Sequence, residues 1–398
     1  MSIRAITDLD VAGRRLVVRA DLSVPMAEGR VSDATRITRF AEGMKPLLAR
    51  GAALVILSHF GRPKGATDPA LSLRYIRDDL SRALGCPVKF ASLDEAGEAA
   101  AALQPGQVLL VENVRFEPGE ERNDPALAAR LAALGDIYVN DAFSCAHRAH
   151  ASTAAIAELM QATAGPLMMA ELAALTRALE VPQPPSVAIV GGAKVSSKIA
   201  VLKHLVTKVD HVIVGGGMAN TFLFADGAPM GRSLHEADQV ETVKAIRALA
   251  AKHGCTIHLP ADVVVAREFK ARAASETVAA NACPADAMIL DAGPAAVAAF
   301  RDVLAGARTI LWNGPLGAFE MEPFDAATVA LARTAADLTR AGLCVSVAGG
   351  GDTVAALNAA GVTAQFTYVS TAGGAFLEWL EGRVLPGIAA LDAAPTAA

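Results

Sequence analysis

An α/β protein with two doubly wound parallel sheets is what this sequence predicts, on three observations. Short β-rich runs alternate with longer Ala/Leu-rich segments from end to end. The β-rich runs are continuously apolar, the pattern of strands buried on both faces by flanking helices, which is the setting of parallel sheets. The 398 residues also exceed the ~250–300 at which a single hydrophobic core stops growing, so two domains are expected.

In chain order, "RLVVRA" (15–20), "ALVILS" (53–58), "VLLVEN" (108–113) and "DIYVND" (136–141) read as the strands of the first half. The second half offers "SVAIVGG", "HVIVGGG", "TIHLP", "MILDAG", "TILWNG", "CVSVAGGG" and "FTYVSTAGG". Between them, segments such as "DPALAARLAALG" and "ADQVETVKAIRALAAKHG" carry apolar residues at helical spacing and end on a glycine suited to the C′ position. "AGPLMMAELAALTRALE" (164–180) reads as one long helix, stopped by the three prolines that "VPQPPS" contains. Before that helix strands run into Arg and His; after it they run into glycines. The change sets domains at 1–170 and 171–382, the helix going with the second. The last residues, "LPGIAALDAAPTAA", read as a partly ordered tail.

Composition excludes several classes. A net charge of −5 and a pI near 5.9 provide no global field for nucleic acid or an anionic membrane, so neither is an expected partner. No apolar run approaches the ~18 residues of a membrane span, and the opening "MSIRAITDLDVAGRR" has no signal-peptide h-region. Cys86, Cys145, Cys255, Cys283 and Cys344 are odd in number and scattered, the usage of a reducing, cytoplasmic setting.

Anion binding must therefore come from local clusters, and the strand ends supply them. In the first half "VVRADLSVP" delivers Asp21 and Ser23, and "SDATRI" adds Arg36. "VILSHFGRPKG" delivers His59 and Arg62, "LLVENVRFEPGE" Arg115, and "YVNDAFSCAHRAH" Arg148. The C-terminal strand ends of an open parallel sheet converge on one crevice, and Arg suits bidentate recognition of carboxylate or phosphate. A small ligand bearing both groups would match. Ordinary surface ion pairs are the bland alternative. For Cys145, His147 and His150 a metal site or a buried histidine pair stands beside the anion grip.

In the second half the device is strand, glycines, helix. "VAIVGGAKVSSKIAVL" places Lys194 and Lys198 four apart, on one face of the helix expected after the glycines. Gly215 and Gly216 in "VIVGGGMANTFL", Gly350 and Gly351 before Asp352 and Thr353, and Gly373 and Gly374 in "STAGG" repeat it. Glycines admit phosphates to backbone N–H groups at helix starts. Asp352 is either an N-cap or a Mg²⁺ ligand, since Mg²⁺ favours one or two carboxylates plus substrate phosphates. "LWNGPLGAFE" offers Asn313, Pro315 and Glu320 as a wall for a nucleobase and ribose. Neither G-x-x-x-x-G-K-[ST] nor G-x-G-x-x-G occurs.

These residues resemble phosphoglycerate kinase over almost the whole chain. The resemblance is carried by "RADLSVP", "SHFGRPKG", "ENVRFEPGEE", "VNDAFSCAHRAHAS", "GGAKVSSKI", "GGGMANTFL", "LWNGPLGAFE", "GGGDTVAAL" and "STAGGAFLE", in the family's order. It implies two Rossmann-like domains joined by a helical hinge, with the tail 383–398 returning to the first domain, in a monomer. The first domain would bind 3-phosphoglycerate or 1,3-bisphosphoglycerate through Asp21, Ser23, Arg36, His59, Arg62, Arg115 and Arg148. The second would bind ADP or ATP through Lys198, Gly215, Gly216, Asn313, Pro315, Glu320, Gly350, Gly351, Asp352 and Thr353, with Mg²⁺ on Asp352. Reversible phosphoryl transfer would use Arg36, Lys198, Lys194, Gly373 and Gly374. The attacking carboxylate is ionised at pH 7, so no general base is needed, and the site would be complete only when the domains close. A nucleotide-binding pseudoenzyme with a regulatory role is the alternative; a ligase or dehydrogenase lacks its fingerprint. The sequence departs from the family's usual pattern at Ser23 (Asn), "FSCAH" ("FGTAH"), Ser197 (Asp), Ala327 (Gly) and Ala372 (Gly), the last implying a negative or strained φ.

Overall fold

The structure is a computed structural model that describes residues 3–27 and 29–394, and it divides into two compact units. The first runs to Leu172 and takes in the segment from Val384 onward; the second is Ala173–Arg383.

In the first unit the strands are β1 (Arg15–Arg19), a two-stranded ribbon of β2 (Met26–Ala27) and β3 (Arg30–Val31), then β4 (Ala53–Leu57), β5 (Val88–Ala91), β6 (Val108–Val111), β7 (Ile137–Asn140) and β8 (Ala162–Ala164). Six of them form one parallel sheet in the order β5-β6-β4-β1-β7-β8. The apolar runs are buried throughout: β4 and β6 have no exposed residue. Leu16, Val18, Leu54 and Ile56 pack against Ile37, Phe40 and Met44 of the helix Thr35–Ala49. The edge strands β5 and β8 escape a reading of apolar runs, because "VKFA" has an exposed Lys89 and "ATA" is three residues long. The expected tail contains a helix instead, Pro386–Asp392, whose Ile388 and Leu391 are buried and whose Gly387 N–H donates to the Ala146 carbonyl at 2.9 Å. Residues 395–398 lie outside the described residues.

The expected long helix spans Pro166–Leu175 and continues as a π turn over Thr176–Glu180, so the division between the units falls inside it. Its start is tied to the end of β7. Asp141 Oδ1 accepts the N–H groups of Leu167 (2.7 Å) and Met168 (3.1 Å). Gly165 must be a glycine there, since a Cβ would lie 2.3 Å from that oxygen. Burial raises the Asp141 carboxyl to about 7, against the two N–H donors that favour the ionised form. Between an unfolded carboxyl near ~4 and about 7 the folded protein holds the extra proton. Stability from this group is therefore present at low pH and is lost as pH rises through that window. Asp141→Asn should flatten that part of the stability–pH curve in urea titrations from pH 4 to 8, which an unshifted carboxyl would not do.

The second unit holds β9 (Ser186–Val190), β10 (His211–Val214), β11 (Thr256–His258), β12 (Asp262–Ala266), β13 (Ser275–Ala279), β14 (Met288–Ala292), β15 (Thr309–Asn313), β16 (Val345–Gly349) and β17 (Tyr368–Ser370). Its main sheet is again six parallel strands, ordered β11-β10-β9-β15-β16-β17. One strand departs from the parallel expectation. "MILDAG" supplies β14 of a separate antiparallel sheet, β13-β12-β14, whose strand β13 is almost wholly exposed, as an antiparallel layer with one wet face can be.

Candidate functional site

The first sheet grows from β1 toward β4 in one direction and from β7 toward β8 in the other, so the loops after β1 and β7 part at a topological switch point, where open α/β sheets bind ligands. A cavity of about 120 Å³ sits there, lined by Asp21, Ser23, Arg36, His59, Arg115 and Arg148, with Ser144, Cys145, His147 and His150. Six of the seven residues expected for the substrate thus meet. Arg62 does not line it: between Gly61 (φ +63°) and Lys64 (φ +55°) the chain turns outward and leaves Arg62 exposed.

Neighbouring groups hold each side chain. Arg36 Nη1 pairs with Asp21 Oδ2 at 2.9 Å and donates to the Ser23 carbonyl at 3.0 Å. Asp21 Oδ2 also accepts from Ser144 Oγ at 2.5 Å, a contact that the spacing of the motifs did not signal. The Ser23 hydroxyl is spent on the His59 carbonyl at 2.7 Å, so it braces the rim. Arg115 Nη1 donates to the Gly61 carbonyl at 2.8 Å. Asn113 Nδ2 ties down the same loop through the carbonyls of Phe60 and Leu71.

The charge of the pocket belongs to its arginines. His59 is held far below the usual imidazole range by burial and by Arg19, Arg115 and Arg148. His150 is lowered to about 4 by burial, then by the same arginines. Both rings are neutral at pH 7. The metal reading of Cys145, His147 and His150 finds no support: Arg148 Nε donates to His147 Nε2 at 3.2 Å, and no group of three His, Cys, Asp or Glu able to hold a metal occurs among the described residues. Behind the pocket lie two charges that the strand-end reading passed over, the fully buried Arg19 and Glu120. Arg19 is signalled in the sequence as a charge inside the apolar run "RLVVRA"; Glu120, one acid among several in "EPGEERND", is not signalled at all.

The second sheet has its switch point between β9 and β15, and Lys198 crosses it. Its Nζ donates to the Gly191 carbonyl at 2.7 Å and the Asn313 carbonyl at 3.0 Å. Burial lowers this ammonium to about 8, while Asp352 favours the charged form. The glycines are steric requirements: a Cβ on Gly191 would lie 1.8 Å from the Pro315 carbonyl oxygen, and one on Gly216 2.8 Å from that of Gly192. The shared helix face expected for Lys194 and Lys198 is not formed. Helix Ile199–Leu205 starts after Lys198, preceded by a 3₁₀ turn. The break lies at Lys198 itself, whose backbone (φ −132°, ψ 19°) is not helical; Ser197 Oγ donates to the Lys194 carbonyl at 2.7 Å, and Lys194 is exposed.

A cavity of about 250 Å³ beside this crossing is lined by Gly215, Gly216, Pro315, Glu320 and Asp352, together with Leu234 and Phe269. Those last two are large apolar side chains left 53% and 65% exposed, a platform for a flat ring, and the sequence reading missed them because they stand alone in polar loops. Asn313 and Thr353 work behind the lining. Asn313 Nδ2 donates to the Gly349 carbonyl at 2.8 Å, and Thr353 Oγ1 accepts the Gly314 N–H at 2.7 Å. Gly350, Gly351 and Gly373 border a separate hollow with Ser370 and Thr371, and Gly374 begins the helix Gly374–Leu380. Ala372 and Ala327 carry no strain: positive φ at a non-glycine occurs, among the described residues, only at Lys64, Asn123 and Arg272.

The phosphoglycerate kinase family model matches residues 6–383. A phosphoglycerate kinase of Cereibacter sphaeroides is 59% identical over 98% of this chain and 100% of its own length. One from Zymomonas mobilis is 58% identical over 99% and 100%. Among solved structures, phosphoglycerate kinase from Coxiella burnetii superposes with a TM-score of 0.93 at 43% identity, covering 98% of this chain and 99% of that one. That from Pyrococcus horikoshii gives 0.79 at 28%, with 98% of each chain covered.

Proposed function

The chain belongs to the phosphoglycerate kinase family, and from that premise we propose how its own residues perform the reaction. It is a phosphotransferase with a carboxyl acceptor, moving a phosphoryl group reversibly between 1,3-bisphosphoglycerate and ADP to give 3-phosphoglycerate and ATP. The observation that supports the residue assignment is the guanidinium-lined pocket at the first sheet's switch point, where Arg36, Arg115 and Arg148 surround a neutral His59. Phosphoglycerate, with a carboxylate and a phosphate, is the ligand such a pocket takes. The glycine-walled cavity with Leu234, Phe269 and Glu320 takes the nucleotide.

Transfer needs no base, because the acceptor carboxylate is already ionised; what remains is positioning and charge stabilisation. We assign Arg36 and Lys198 to the equatorial oxygens of the transferring group and the backbone around Gly373 and Gly374 to the same anion. Lys194, exposed and without a place in either cavity lining, is given a phosphate contact only by motif. Asp352 lines the nucleotide cavity with one exposed carboxylate, a donor set that fits a Mg²⁺ carried chiefly by nucleotide phosphates. Bound there, the ion would neutralise charge on those phosphates. All five cysteines are free, in keeping with action in a reducing cytoplasm, and we take the chain to act as a monomer.

The test is ATP consumption with 3-phosphoglycerate and Mg²⁺, the acyl phosphate being drained by a coupled dehydrogenase. Wild type should turn over, chelation of Mg²⁺ should stop it, and Arg36→Ala should lower kcat about a hundredfold, the cost of one charge-stabilising donor. A wild type that binds ADP without turnover would establish the pseudoenzyme instead.

A further inference from the structure

We propose that Arg19 is a positioning residue that fixes His59 as the imidazole protonated on Nε2, so that His59 meets phosphoglycerate as a hydrogen-bond donor. The inference rests on reading the first pocket as the phosphoglycerate site. Arg19 Nη2 lies 3.0 Å from His59 Nδ1. A guanidinium has donors and no acceptor, so Nδ1 must be the accepting nitrogen and the ring's single proton sits on Nε2. Nδ1 is thereby occupied, and Nε2 is the nitrogen left for the cavity that His59 lines.

Arg19 has no freedom to release the ring. Its Nε donates to Ser152 Oγ at 2.8 Å and its Nη1 to the Ala20 carbonyl at 2.6 Å. Ser152 is clamped in turn by Glu120, whose carboxylate accepts from Ser152 Oγ at 2.5 Å and from Ser152 N–H at 3.0 Å. Arg19, Glu120 and Ser152 are all fully buried. The charged and titratable groups acting on His59 are Arg19, Arg115, Arg148 and His150, with Cys145 Sγ 4.0 Å from Nδ1. Each cation among them opposes a second proton on the ring. The opposite tautomer would turn a lone pair toward an anion; the tautomer that Arg19 selects presents N–H.

The experiment is ¹⁵N-edited NMR of histidine-labelled, ligand-free protein, followed by kinetics. His59 should show an unprotonated Nδ1 and a protonated Nε2, one tautomer, unchanged from pH 6 to pH 8. A Nδ1-protonated or mixed ring would overturn the proposal without any variant being made. Arg19→Lys keeps a cation near Glu120 but cannot hold Ser152, Ala20 and His59 together. It should mix the tautomers and raise KM for 3-phosphoglycerate about tenfold, the worth of one hydrogen bond to a charged group, with kcat within about threefold. In a His59→Phe background Arg19→Lys should add less than about twofold to KM; an additive rise would show a merely structural role and sink the idea. If Arg19→Lys does not fold, the wild-type tautomer decides. Adding 3-phosphoglycerate should shift the His59 Nε2–H signal; a correct tautomer with an unmoved signal would instead overturn the reading of the pocket, and with it the donor role.

Discussion

Lys198→Ala should lower kcat about a thousandfold while leaving the fold intact, the loss expected for the cation that we assign to the transferring phosphoryl group. The ammonium is held by two backbone carbonyls, that of Gly191 just past the end of β9 and that of Asn313 at the end of β15, the two strands that flank the second sheet's switch point. An ammonium has three donors, so a third remains for a phosphate oxygen. Burial lowers this lysine to about 8, and the sign of the pH effect follows. Below that value the group is the ammonium that the proposed role requires; above it the amine accumulates. The free-enzyme profile, kcat/KM for the nucleotide, should fall as pH rises through about 8. Bound phosphates favour the ammonium, so the kcat profile should fall only at higher pH. Steady-state kinetics from pH 6.5 to 9.5 check both limbs. An alkaline limb that persists in Lys198→Ala would belong to another group.

The second large effect is on stability. Glu120→Ala should destabilise the first unit by about 3–5 kcal/mol, the range for breaking a buried charge pair from one side. It would leave the fully buried Arg19 without its nearby carboxylate and the Ser152 N–H without its acceptor. Burial pushes the Glu120 carboxyl up and Arg19 opposes that shift, so each charge is tolerated because of the other. Urea unfolding should show a lower midpoint at unchanged m. Glu120→Gln, which keeps an acceptor for Ser152 but not the charge, should lose less; equal losses would mean that the charge carries the whole effect, and no loss at all that it contributes nothing.

Much of this was legible in one dimension. Buried parallel strands announce themselves as apolar runs, and all eleven runs are strands, although "MILDAG" pairs antiparallel outside the main sheet. The crevice was legible too, because residues at the C-terminal ends of parallel strands have one place to go. That rule brings Asp21, His59, Arg115 and Arg148 together from loops separated by whole helices. It does not bring Arg62 to the cavity, because a local turn of the backbone intervenes, and Lys194 and Lys198 do not share a helix face, because the helix begins only at Ile199 after the non-helical backbone of Lys198.

By itself, then, the sequence determined the kinds of chemistry present: guanidinium groups after one set of strands, glycines and a lysine after the other, and no dinucleotide or Walker fingerprint. Only the tertiary structure decided which groups face a ligand and which stand behind it. Arg19, His59, Glu120 and Ser152 are separated by up to 133 residues, and they meet because the sheet order places β1 between β4 and β7. Whether a hydroxyl such as Ser23 or Ser144 is free for substrate or already bonded, and whether a charge is solvated or buried against its opposite, depends on neighbours distant in sequence. Burial and hydrogen bonding across a sheet are properties of that assembled neighbourhood, so no local pattern of residues could have carried them.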